Sequence, residues 1–163
     1  MNTQQSLFPT WQEKLEKATA LFEQVLRESP AVYQASRETQ FGSSDVVVKF
    51  CTARIGLSER EEFLVLFLDN QHRLIKAEVM FQGSINKSQV HPREIVKLGL
   101  KLNAAAVLLS HNHPSGETKP SQADKVMTQK IKQACELVDI RVLDHVIVAP
   151  DTHYSFAENN EEM

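Results

Sequence analysis

The sequence predicts an α/β fold in which a β-sheet is flanked by helices. Two observations lead to this prediction. Segments whose apolar residues recur at helical spacing alternate with short apolar runs of strand length. In addition, residues 63–68 and 73–81 are strand-like runs separated by a short polar turn, which is typical of a β-hairpin. The first run is apolar throughout, so we expect a central strand that is buried on both faces.

The remaining elements follow from the same patterns and from helix-capping signals. Pro92 suits the first position of a helix, and Ser43 suits a helix cap. In chain order, the sequence predicts helices over residues 10–27 and 43–56, one beginning at 92 and one over 121–138, with strands over 63–68, 73–81, 104–109, 141–149 and 154–156. We interpret residues 1–42 as a helical leader and residues 43–163 as the main domain.

Composition limits the class of protein. With 163 residues, 42% hydrophobic and 24% charged, the chain is ordinary for a globular protein with one main core. The net charge of −3 gives no overall attraction to polyanions. No apolar run approaches the roughly 20 residues of a membrane span. Cys51 and Cys135 lie far apart, which favours buried thiols in a reducing compartment, so we expect a cytoplasmic protein with no membrane partner.

Residues 110–116 carry the strongest chemical signal. His111 and His113 lie two apart on an extended segment, so their side chains point to one side with Cα atoms roughly 7 Å apart. Asp124 follows at the start of a helix. Two imidazoles and one carboxylate, with a fourth position open, is how catalytic zinc is held. Other interpretations stay open, because such histidine pairs are common without a metal and Ser121 with Asp124 also fits a helix capping box.

Several separate motifs follow one another along the chain, at residues 90–94, 103–104, 111–116, 120–124, 143–148 and 155–158. Together and in this order they resemble the JAMM motif of the MPN-domain metalloproteases and, more closely, the RadC family. The resemblance covers about residues 43–158 and implies the MPN/JAMM fold, which is cytidine-deaminase-like: a mixed β-sheet flanked by helices, here with an N-terminal helix.

The resemblance also implies a site and an activity. It makes His111, His113 and Asp124 the ligands of one Zn²⁺ per chain, and it makes Glu78 the group that accepts a proton from water and passes it to the leaving amine. Ser121 matches a family serine that can donate to the developing oxyanion. The implied reaction is amide hydrolysis, with a peptide or an isopeptide-linked protein as the substrate.

Three further residues have more than one interpretation. Without the resemblance, Glu78 beside Lys76 is typical of a solvated strand face. Ser110 and His145 are candidates for orienting a metal ligand, although a purely structural histidine fits equally well.

Two other functions and an assembly remain open. The first is a DNA-repair accessory protein or metal-dependent nuclease, which would need a basic surface. The candidate nucleic-acid contacts are Arg93, Lys119, Lys125, Lys130 and Lys132. The glycine-marked helical hairpin common near the start of RadC proteins is not found here.

The second alternative is a non-catalytic MPN scaffold, although such domains generally lack the set of metal ligands. As for assembly, the first helix could support a homo-oligomer.

Overall fold

The structure, a computed structural model, describes residues 16–21, 41, 43–83 and 90–160. The chain divides into two compact units, residues 1–38 and 39–163. In the first unit, residues 16–21 are helical, and the rest of the helix predicted over 10–27 lies outside the described residues. The domain boundary predicted after residue 42 stays a prediction.

The second unit alternates helices and strands much as the sequence predicts. The strand predicted over residues 104–109 differs most, because it continues through His111 and ends at Asn112. The described elements are α1 (Ser44–Ile55), β1 (Glu62–Leu68), β2 (Leu74–Gln82), α2 (Pro92–Lys101), β3 (Ala106–Asn112), α3 (Gln122–Glu136), β4 (Arg141–Val148) and β5 (His153–Ser155).

The strands form one mixed sheet in the order β2-β1-β3-β4-β5. The predicted hairpin is confirmed, because β1 and β2 pair antiparallel. The β3 and β4 strands pair in parallel, and α3 makes the crossover between them. The predicted class, a mixed sheet flanked by helices, is therefore confirmed.

Helices cover both faces of the sheet, and alternate side chains of β1 serve the two cores. Leu64, Leu66 and Leu68 pack on the α1 side with Val47, Cys51 and Ile55. Phe63, Val65 and Phe67 pack on the opposite side with Ile95 of α2 and Ile131 of α3. Burial of every β1 residue after Glu62 confirms the prediction of a central strand.

Two register shifts interrupt the alternation of β2. Strict alternation would place Ala77, Val79 and Phe81 on one face of the sheet. Instead, the β1–β2 ladder shifts between Phe63 and Leu64, so that Phe81 packs on the α2 and α3 side while Ala77 and Val79 stay on the α1 side. The sequence pattern contains no sign of this bulge.

Both cysteines are free and buried, as predicted. Burial raises the pKa of Cys51 to about 12 and that of Cys135 to about 11, so neither thiol is a ready nucleophile or metal ligand near neutral pH. Across the described residues, no helix combines the length and the apolar character that a bilayer crossing requires.

Candidate metal centre

Three side chains from two elements meet at the carboxyl end of β3. His111 is on β3, and His113 follows the strand, with its backbone N–H donating to the Val148 carbonyl. Asp124 is in the first turn of α3. One potential ligand atom from each of the three residues lies within 4.8 Å of the others. The structure thus brings together the three residues that the sequence proposes as metal ligands.

The distances between these atoms match the spacing of ligands around one small cation. The two histidine Nε2 atoms are 3.0 Å apart, Nε2 of His111 is 3.4 Å from Oδ1 of Asp124, and Nε2 of His113 is 3.8 Å from Oδ2. Ligands at 2.0–2.1 Å from a tetrahedral zinc ion are separated from one another by about 3.3 Å. The two separations measured from Nε2 of His111, 3.0 and 3.4 Å, are therefore close to those around a tetrahedral ion.

The proton on His113 can be located from its neighbours. Its Nδ1 atom lies 2.5 Å from the carbonyl oxygen of Glu117, and a carbonyl oxygen only accepts hydrogen bonds. Nδ1 therefore carries a proton, and when the ring binds a metal in its neutral form the lone pair is on Nε2. That lone pair is on the atom facing His111 and Asp124.

His111 is held neutral by its surroundings. The ring is fully buried and stacks on Phe63 at a centroid distance of 6.2 Å. Burial lowers the pKa of His111 to about 4, and the nearby Asp124 carboxylate opposes the shift only in part. Near neutral pH this ring is therefore an uncharged donor of an electron pair, as metal binding requires.

The chemistry of the donor set fits zinc. Two neutral imidazoles and one carboxylate direct electron pairs into the same small space, which is unfavourable unless a cation or a proton lies among them. Imidazole nitrogen and carboxylate oxygen are both common zinc ligands, and three protein ligands leave one coordination position open. The residues present can therefore hold the zinc ion that the resemblance implies.

The site opens to solvent beside His113. The side chains of His111 and Asp124 are 0% and 3% exposed, whereas that of His113 is 16% exposed. Any molecule that approaches the three residues from solvent therefore meets His113 first.

Glu78 lies on the same face of the sheet as His111, two strands away. Glu78 is opposite Val65 of β1, and His111 is opposite Phe63 of β1. The side chains of Val65 and Phe63 both point to the side of the sheet that α2 and α3 cover, so those of Glu78 and His111 do as well. Its carboxylate lies 3.0 Å from Nζ of Lys76 and is 41% exposed. Glu78 also lines a cavity of about 390 Å³ between β2 and α2, which Glu94 and Lys97 line as well.

The two residues predicted to orient a ligand end up on opposite faces of the sheet. His145 is fully buried, and its Nε2 atom lies 2.8 Å from Nδ1 of His111. Ser110 pairs with Leu64 and Val146 of the α1-side core, and its side chain lies beside Cys51, so the structure does not bring it to the three ligand candidates.

Two residues that make hydrogen bonds beside the candidate metal centre were not identified as site residues from the sequence. Asn112, between the two histidines, accepts a hydrogen bond from the N–H of Glu62 and donates to the carbonyls of Ser58 and Arg60. Thr128 contacts His145 and the Asp124 carbonyl. Its position four residues after Asp124 is a usable signal, because such residues share a helix face.

A mixed sheet flanked by helices, with two histidines at the end of a central strand and an aspartate at the start of the following helix, defines a JAB-type domain with a candidate metal centre. The model of the family described as RadC-like JAB domain matches residues 41–161. The chain belongs to this family.

Curated relatives from bacteria agree with this assignment. The UPF0758 protein YkfG of Escherichia coli K12 is 56% identical over 119 residues, which are 73% of this chain and 75% of that protein. The UPF0758 protein PM1152 of Pasteurella multocida is 49% identical over 90% of this chain and 63% of its own length. The UPF0758 protein YfjY of Escherichia coli K12 is 45% identical over 96% of this chain and 97% of its own length. The chain thus spans about half to two thirds of several relatives and nearly all of YfjY.

Proposed function

We propose that the protein is a zinc-dependent metallopeptidase or isopeptidase that hydrolyses an amide bond. One observation supports this most strongly: His111, His113 and Asp124 place three electron-pair donors within 4.8 Å of one another, with an opening to solvent at His113. A zinc ion held there would supply Lewis-acid activation of water and of the substrate carbonyl.

We propose Glu78 as the residue that moves the proton. Its carboxylate would accept a proton from the attacking water and deliver it to the leaving nitrogen, so that water and an amide give a carboxylic acid and an amine. Its position on the site's face of the sheet and its partial exposure support this role.

For Ser121, the contacts support a positioning role. Its Oγ atom is 2.6 Å from Oδ2 of Asp124 and accepts from the Asp124 N–H, which completes a capping box at the start of α3. Donation to an oxyanion, which the resemblance implies, would require the hydroxyl proton to leave Oδ2. We therefore propose that Ser121 first of all holds the Asp124 carboxylate.

The nucleic-acid alternative has weaker support from the described surface. Two of its candidate contacts already pair with neighbouring carboxylates, Arg93 with Glu94 and Lys132 with Glu136. Phosphate binding would have to compete with these pairs. A non-catalytic scaffold is distinguished by experiment, since it would bind metal without turnover.

The test is turnover of zinc-loaded protein on libraries of peptides and of lysine-linked isopeptides, with zinc content measured in the same samples. We expect one zinc per chain in the wild-type protein. Glu78→Gln should keep the zinc and lose about 10²–10⁴ in rate, which is typical of a general base. His113→Ala should lose both the zinc and the activity.

Glu94→Gln is the matched control, because Glu94 is a second carboxylate on the same cavity. It should keep both zinc and turnover. A full zinc complement in His113→Ala would refute the ligand assignment, and full activity in Glu78→Gln would refute the proton-transfer role. Zinc binding without turnover on any substrate would favour the scaffold.

A further inference from the structure

A buried chain of hydrogen bonds connects two of the proposed ligands behind the candidate metal centre. Nδ1 of His111 lies 2.8 Å from Nε2 of His145, and Nδ1 of His145 lies 2.5 Å from Oγ1 of Thr128. Oγ1 of Thr128 lies 2.7 Å from the backbone carbonyl oxygen of Asp124. His111, His145 and Thr128 are 0% exposed and Asp124 is 2% exposed, so water does not compete for these contacts.

The carbonyl at the end of this chain determines the direction of every bond in it. A carbonyl oxygen only accepts, so the single hydroxyl proton of Thr128 is donated to Asp124. Oγ1 must then accept the proton on Nδ1 of His145, which leaves Nε2 of this neutral ring as an acceptor. Nε2 of His145 in turn accepts the proton on Nδ1 of His111. The result is that Nε2 of His111 carries no proton.

We propose that Thr128 is a positioning residue that acts through His145 to fix the tautomer of His111 in which Nε2 is free to bind a metal. This inference rests on the metal centre proposed above. It also gives His145 a defined role, because its ring accepts a hydrogen bond from His111 on β3 and donates one to Thr128 on α3. Phe156 stacks on His145 at a centroid distance of 4.9 Å and holds the ring in this orientation.

Removal of the threonine hydroxyl should reverse the direction of the hydrogen bond between His111 and His145. In Thr128→Val, the Nδ1 proton of His145 has no acceptor in a buried position, which is costly. The His145 tautomer protonated on Nε2 avoids this cost and donates to Nδ1 of His111. The His111 proton then moves to Nε2, where it blocks the metal position. Thr128→Ser keeps the hydroxyl and is the matched control.

The experiment compares wild type, Thr128→Val and Thr128→Ser. Imidazole ¹⁵N chemical shifts of the zinc-free proteins report the tautomers, and chelator competition gives the zinc Kd. We expect the Nδ1-protonated form of His111 in wild type and Thr128→Ser, and the Nε2-protonated form in Thr128→Val. The zinc Kd of Thr128→Val should rise about 10–100-fold, as is usual when a group that supports a ligand is removed.

A purely structural threonine would give a different result. In that case Thr128→Val would keep the wild-type tautomer and a zinc Kd within about threefold of wild type, well below the usual loss, and the inference would be wrong. If Thr128→Val does not fold, Thr128→Ala removes the same hydroxyl with a smaller side chain and is judged by the same two outcomes. If wild type binds no zinc, the proposed function fails, whereas the tautomers still test the hydrogen-bond chain.

Discussion

The Oγ atom of Ser121 lies 2.6 Å from Oδ2 of Asp124, and the backbone N–H of Ser121 donates to the same oxygen at 2.7 Å. The carboxylate that caps α3 is therefore the carboxylate that faces the two histidines. Its other oxygen, Oδ1, is the one directed at His111. Capping and metal binding, which are alternatives in the sequence, are compatible, because Oδ2 accepts the cap hydrogen bonds while Oδ1 is positioned to coordinate a cation beside His111.

Substitution of Ser121 should affect the helix start and the metal together. Ser121→Ala removes the cap, so the free energy of unfolding should fall by about 1 kcal/mol in urea denaturation. The zinc Kd should rise because Asp124 loses its support. Turnover at saturating zinc should change little if the serine only positions Asp124. A loss of about 10²–10³ in kcat at full zinc occupancy would instead identify Ser121 as an oxyanion donor.

The stability of the zinc-free protein should decrease in mild acid. Burial lowers the pKa of His111 to about 4 and that of His145 well below 6.5, so the folded protein keeps both rings neutral. Below pH 6.5 the unfolded chain binds more protons than the folded one, and stability is lost as the pH falls toward 4. Each such proton contributes a slope of about 1.4 kcal/mol per pH unit.

Urea denaturation between pH 7.5 and 4.5 measures this slope. His145→Gln should reduce this slope by the contribution of roughly one proton, since a glutamine does not titrate. A free energy of unfolding that stays constant from pH 7 to 5 in the zinc-free protein would contradict the prediction that these rings are buried and neutral.

The sequence predicts most of the fold and the three ligand candidates, and the reason is locality. His111 and His113 are two residues apart at the end of one strand, and Asp124 occupies a recognisable helix start, so short-range spacing is enough to propose them. The resemblance to the RadC family is what favours them over a chance histidine pair and a simple helix cap. The contact between His111 and His145 joins positions 34 residues apart and depends on the parallel pairing of β3 with β4. No local pattern reports such a pairing.

The faces of β2 could not be predicted for a related reason. A period of two assigns side chains to faces only while the strand ladder is regular. The shift between Phe63 and Leu64 depends on how β1 and β2 fit together, so it cannot be read from β2 alone.

Asn112 should prove important for stability rather than for metal binding. Its amide bonds to the backbone of Glu62, Ser58 and Arg60 and so fixes the segment before β1 to the end of β3. Asn112→Ala leaves three backbone groups without these partners and should lower the free energy of unfolding by about 2 kcal/mol. Zinc affinity of the folded protein should stay near wild type. A large rise in the zinc Kd at unchanged stability would contradict this division of roles.

Gly116 should be required by the backbone of the loop that supports His113. Its φ is 84°, in the left-handed region, and its N–H donates to the His113 carbonyl in the turn that leads to Glu117. An added Cβ would have nothing within 4 Å, so the cost of Gly116→Ala comes from the backbone, about 1 kcal/mol. Because the Glu117 carbonyl accepts from Nδ1 of His113, a distorted turn should also raise the zinc Kd. Gly116→Asn is the matched control, since asparagine tolerates this conformation. Urea denaturation and chelator competition measure stability and zinc affinity, and both should be highest in the wild-type protein, lower in Gly116→Asn and lowest in Gly116→Ala. If Gly116→Ala equals wild type in both measurements, the turn does not constrain His113.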